Sequence, residues 1–114
     1  MKYFIVRYVH TEFTGWKKYL FAHLEYLKDL IKEGSLLMSG PLQDSKEGEK
    51  EAILIFKAED REALQRLIEG DPYWKEGLVA DHVIREWSPM FGMLGYSAEQ
   101  MEAGLAEKAK QQNG

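Results

Sequence analysis

Two apolar runs that refuse to alternate constrain this chain more than anything else in its sequence. Phe4-Ile5-Val6 and Ile53-Leu54-Ile55-Phe56 each place three or four greasy side chains in succession. Neighbouring side chains on a strand point to opposite faces, so such runs make a sheet apolar on both sides. A fold built on them has to cover two faces, and what covers each is read from the segments between.

Tyr3 to Val9 is rich in β-branched and aromatic residues and is expected to be the first strand. Trp16, Leu20, His23, Leu27, Leu30 and Ile31 then recur at spacings of three and four, the period of an amphipathic helix. Thr14 is the expected N-cap and Gly34 the residue that ends this helix. Ser35 to Ser39 is a second strand closed by Gly40-Pro41, and Leu42 to Glu51 a polar loop. Ala52 to Phe56 is the third strand. Asp60 caps a second helix with Ala63, Leu64, Leu67 and Ile68 on one face, ending at Gly70. Asp71-Pro72-Tyr73-Trp74 makes a turn, and Ala80 to Trp87 a fourth strand.

The order β-α-β-β-α-β is that of a ferredoxin-like α+β sandwich, an antiparallel sheet with two helices. Crossovers of one hand put both helices on one face. The other apolar face is left to a second copy, through a two-fold sheet-to-sheet contact, or to the C-terminal tail folding back. The expected division is a domain over 1–88 and an appendage over 89–114. Met90, Phe91, Met93, Leu94 and Tyr96 form an apolar arm. Ser97 and Gln100 make a capping box for a short helix, with Lys108 to Gly114 fraying.

Composition removes whole classes of chemistry. With 0 cysteines among 114 residues there are no thiol nucleophiles, disulfides or cysteine-held metals. Three histidines without metal-ligand spacing argue against a metal site, and no motif for a nucleotide cofactor is present. A net charge of -4 and an isoelectric point near 5.4 oppose binding to nucleic acid. No apolar run spans a bilayer and no secretory signal opens the chain, so the expected location is cytoplasmic.

His23 is the most informative residue. It sits in the apolar stripe of the first helix, where an imidazole exchanges protons if a carboxylate orients it. The alternative is a core histidine satisfied by a backbone carbonyl. Asp71 is biased toward an extended conformation by Pro72, and either bonds its own backbone or presents a carboxylate at the end of the second helix. His10 and His82 are expected at solvated strand ends. Arg7, amid apolar neighbours, is a candidate for an anionic substrate or for a structural ion pair. Ser39-Gly40-Pro41 has neither the glycines nor the following helix of a phosphate loop.

His23-Leu24-x-x-Leu27, Glu33-Gly34-x-Leu36-Leu37-x-x-Gly40-Pro41 and Asp71-Pro72-Tyr73 followed by Gly77 together resemble the YCII-related domain family, over residues 1–88. The resemblance implies a dimeric α+β barrel similar to the muconolactone isomerase-like group. It implies that His23 and Asp71 are an acid/base pair, in a family one branch of which removes halide from chlorinated hydroxylated aromatics. Leu20 stands where many relatives carry arginine, a departure that weakens anion recognition at that point. The expected activity is a cofactor-independent and metal-independent isomerisation or elimination on a small cyclic or aromatic metabolite. His23 and Asp71 are the expected catalytic residues, with Arg7, Ser39, Gly40, Pro41 and Tyr73 as substrate contacts. The rival reading is a homodimeric binding or assembly module without catalysis.

Overall fold

Strand β1 (Lys2–His10) lies at the centre of a four-stranded sheet in the computed structural model, which describes residues 1–113. The order is β2-β3-β1-β4, with β2 (Leu36–Pro41), β3 (Lys50–Ala58) and β4 (Asp81–Trp87). Every pairing is antiparallel. Helices α1 (Phe13–Lys18) and α2 (Leu20–Glu33) join β1 to β2. Helices α3 (Arg61–Glu69) and α4 (Pro72–Lys75) join β3 to β4, and α5 (Ala98–Asn113) closes the chain. This is the α+β architecture that the element order predicts.

The register sorts the apolar runs onto their faces. Phe4, Val6 and Tyr8 of β1 stand opposite Phe56, Leu54 and Ala52 of β3. These side chains pack beneath Leu27 and Leu30 of α2 and Leu64 and Ile68 of α3. Helices α2 and α3 therefore cover one side of the sheet. Ile5 and Arg7 pair with Ile55 and Ile53 on the other side. There Met38, Val83 and Trp87 remain well exposed. The tail does not cover them: α5 is exposed along its described side chains, and the molecule extends 65 Å along its longest axis.

Several local expectations change. The N-cap of the first helix is Glu12, not Thr14, because its longer carboxylate reaches back to accept from the N–H groups of Thr14 and Gly15. The helical pattern is also two helices, broken at Tyr19, whose backbone leaves the helical region. Gly34 closes α2 at φ 82°, the left-handed region that glycine enters without a Cβ clash. Gly70 does not serve that way, since its φ is -75°. A Cβ there would strike the hydroxyl of Tyr26, which donates to the Leu67 carbonyl at 2.7 Å.

Asp60 caps α3 as expected, accepting from Ala63 N–H at 2.8 Å. Ser97 and Gln100 form their reciprocal capping bonds at 2.8 and 3.2 Å. The helix that they start is longer than expected, running past Lys108 to Asn113. Gly114, the last residue of the expected frayed end, lies outside the described residues. Asp71-Pro72-Tyr73-Trp74 is a one-turn helix start rather than a plain turn.

Candidate active site

The site is assembled where α2 passes the N-terminus of α4. Pro72 occupies the first turn of α4, where its missing N–H costs nothing, and it holds Asp71 extended at φ -69°, ψ 130°. Asp71 thereby becomes the N-cap, and Oδ1 accepts from Tyr73 N–H at 2.9 Å. The same carboxylate faces His23 on α2. Both of its oxygens lie 2.8 Å from His23 Nδ1. A carboxylate only accepts, so Nδ1 carries the proton and donates. His23 Nε2 has no protein partner among the described residues. Asp71 is 1% exposed, whereas the His23 side chain retains 12%.

Tyr73 fixes the imidazole from another direction. Its ring stacks on His23 at 4.0 Å between centroids and 13° between planes. Its hydroxyl donates to the Trp16 carbonyl at 2.9 Å, and Trp16 stacks on its ring in turn. Lys50 Nζ lies 4.9 Å over Trp16 and 5.2 Å over Phe13, so α1 is tied to β3 by a cation over two rings. Tyr73 was expected to touch substrate. It is buried, with its hydroxyl engaged and its ring against His23.

His10 is the largest departure among the histidines. Expected at a solvated strand end, it is 3% exposed and its Nδ1–H donates to the Leu78 carbonyl at 2.7 Å. Burial, seconded by the neighbouring His23, pushes its pKa below the ordinary histidine value, against the pull of the Leu78 carbonyl and Asp71. Its ring stands edge-on to Tyr73 at 5.0 Å and to Tyr8 at 6.1 Å. The hydroxyls of Tyr8, Tyr26 and Tyr73 all have their pKa values raised, first by burial and then by the charge of Asp71. A negative charge is thus sealed in an aromatic cage.

The remaining expected contacts are not brought to this place. Arg7 has the opposite parity on β1 from Tyr8 and His10, so it points to the uncovered face. There its Nε donates to Glu51 at 2.6 Å, a bond that holds the Glu51 carboxyl below the usual range. Ser39, Gly40 and Pro41 lie on edge strand β2, two strands from β1. With Met38, Ile53 and Ile55, Ser39 and Gly40 border a shallow hollow that contains neither His23 nor Asp71. His82 packs edge-on to Trp74 at 4.9 Å, away from the dyad.

Among the described residues no group of three or more His, Cys, Asp or Glu side chains is arranged to hold a metal ion. No helix among them is long and apolar enough to cross a membrane. The arrangement provides one oriented imidazole with a buried counter-charge, which is equipment for proton transfer.

The sequence model of the YCII-related domain matches residues 1–88. Among curated proteins nothing matches the chain. A similar solved structure is 5-chloro-2-hydroxyhydroquinone dehydrochlorinase from Burkholderia phenoliruptrix, in complex with 2,5-dihydroxybenzoquinone. It has a TM-score of 0.64 and 24% identity, covering 84% of this chain and 100% of that one. A cofactor-independent oxygenase from Streptomyces nogalater is more distant. Its TM-score is 0.46 at 14% identity, over 81% of this chain and 95% of that one.

Proposed function

This chain belongs to the YCII-related domain family, and from that membership we propose that its His23–Asp71 pair is the acid/base centre of a small-molecule enzyme. The proposed substrate is a hydroxylated, halogenated aromatic ring, and the reaction a proton transfer followed by elimination of halide. The observation that carries this reading is the buried Asp71 carboxylate, with both oxygens 2.8 Å from His23 Nδ1. That contact sets the tautomer and leaves Nε2 as the atom that meets substrate.

The steps balance without an added oxidant. His23 Nε2 takes a proton from a ring hydroxyl and returns it to the halogen-bearing carbon, converting a phenol into its keto tautomer. A second hydroxyl then gives its proton to the same, again neutral, Nε2, its electrons move into the ring, and halide leaves. The net change is loss of hydrogen halide from a hydroquinone to give a quinone. Asp71 stabilises the transient imidazolium, and positioned groups of this kind typically contribute about 10²–10⁴-fold.

The activity of the Burkholderia protein supplies the first substrate to try, 5-chloro-2-hydroxyhydroquinone, with chloride release as the assay. Replacing His23 with Gln is expected to lower the rate by about 10²–10⁴-fold while the protein stays folded. Full turnover by His23→Gln overturns the mechanism. The uncovered sheet face suits a second copy of the chain, since apolar area of this kind is rarely left open on monomers.

A further inference from the structure

We propose that the Tyr8 hydroxyl is a substrate-holding group of this same site, donating a hydrogen bond to an oxygen substituent of the ring on which His23 acts. The inference rests on the reading of His23 as the proton-transfer residue and adds a partner to it.

Residues 4, 6, 8 and 10 of β1 share the face that looks toward the helices, the side of the sheet on which the dyad lies. Its ring meets His10 edge-on, His10 meets Tyr73, and Tyr73 lies flat on His23, so the four rings form one continuous cluster. The Tyr73 hydroxyl in this cluster and the Tyr26 hydroxyl elsewhere in the core are both occupied. Tyr26 donates to Leu67 and Tyr73 to Trp16. Tyr8 Oη differs: it is the buried side-chain polar atom without a hydrogen-bond partner among the described residues. The residue as a whole is 1% exposed.

A buried hydroxyl without a partner is unfavourable, and phenylalanine would fill the same space without that cost. Unpaired groups of this kind concentrate where a ligand completes them. Burial and the charge of Asp71 keep the phenol protonated, so Tyr8 is a donor and not a base. A fixed donor is what a ring oxygen needs as it becomes anionic on giving its proton to His23. His23, at the other end of the cluster, keeps 12% of its side chain exposed, so entry of the ring requires the cluster to part there.

The test compares wild type with Tyr8→Phe, using 2,5-dihydroxybenzoquinone as calorimetric probe and thermal unfolding as the control. The expected result is an unfolding temperature equal to or above wild type, with Kd for the quinone weakened about tenfold. Equal affinity in the two proteins overturns the inference and leaves the His23 reading standing. A Tyr8→Phe protein that melts lower, or fails to fold, also overturns it, because the hydroxyl then has a structural partner inside the protein. Wild type that ignores the quinone sinks the ring-substrate reading and this inference together.

Discussion

Replacing Asp71 separates the two tasks that its carboxylate performs. Asp71→Ala removes an N-cap, at a cost of about 1 kcal/mol. It also leaves the His23 Nδ1–H without its partner in a largely buried place, at about 1–3 kcal/mol. The sum of about 2–4 kcal/mol is a large share of the roughly 5–15 kcal/mol that holds a typical domain together. Asp71→Asn is the sharper experiment. Its Oδ1 still accepts from Tyr73 N–H, so the cap survives and the expected destabilisation is only about 1 kcal/mol. Its amide nitrogen, however, presents protons to His23. The imidazole then accepts at Nδ1 and carries its proton on Nε2, where a general base needs a lone pair. Turnover is expected to fall by about 10²–10⁴-fold in a protein that remains folded. Urea unfolding followed by tryptophan fluorescence measures the first effect and chloride release the second. Nitrogen-15 NMR of the histidine ring reads the tautomer directly. An Asn variant that works within about twofold of wild type refutes the argument that Asp71 acts through the imidazole.

Two further outcomes follow from the buried histidine and the open sheet face. The pKa of His10 is pushed down in the folded chain, chiefly by burial, so the unfolded chain takes up that proton first. Stability is therefore complete above the ordinary histidine value of about 6.5 and declines as pH falls below it. Urea titrations should show a shallower acid limb in His10→Gln, and an unchanged limb refutes the assignment. For the second copy, sedimentation of a chain truncated after Trp87 is expected to keep the dimer mass, with Ile53→Glu reducing it to the monomer. Loss of the dimer on truncation alone would transfer the contact from the sheet to the arm.

Much of the fold was legible because its determinants are local or periodic. The helix face containing Leu27 and Leu30, the Asp60 cap and the Ser97–Gln100 box are each written within a few residues. The placements of His10 and Arg7 follow from parity along β1. Phe4, Val6 and Tyr8 mark the inward positions, and the same step of two reaches His10 while excluding Arg7. His10 therefore goes inside and Arg7 goes out to Glu51. The pairing of His23 with Asp71, 48 positions apart, is a different matter. Periodicity places His23 on the inner stripe and Pro72 extends Asp71, but neither says that α2 and α4 meet. Only the crossing of two connections on one face of the sheet decides that. The Tyr8 hydroxyl was illegible for the opposite reason: sequence reveals a hydroxyl but not the lack of a partner.

The rigidity of the proposed site comes from a closed circuit around the shortest helix. Asp71 caps α4 by accepting from Tyr73 N–H, which fixes where the Tyr73 ring lies. That ring stacks on His23, and His23 donates back to Asp71. Because the Asp and the Tyr are two residues apart across Pro72, one carboxylate and one aromatic face reach the same imidazole from a single turn. The circuit has a physical consequence for the chemistry. Any opening of α4 releases the hydrogen bond and the stack together, so the imidazole loses its tautomer and its orientation in one event. Proton transfer at Nε2 should consequently fail cooperatively with the N-terminus of α4, well before the sheet and its core give way.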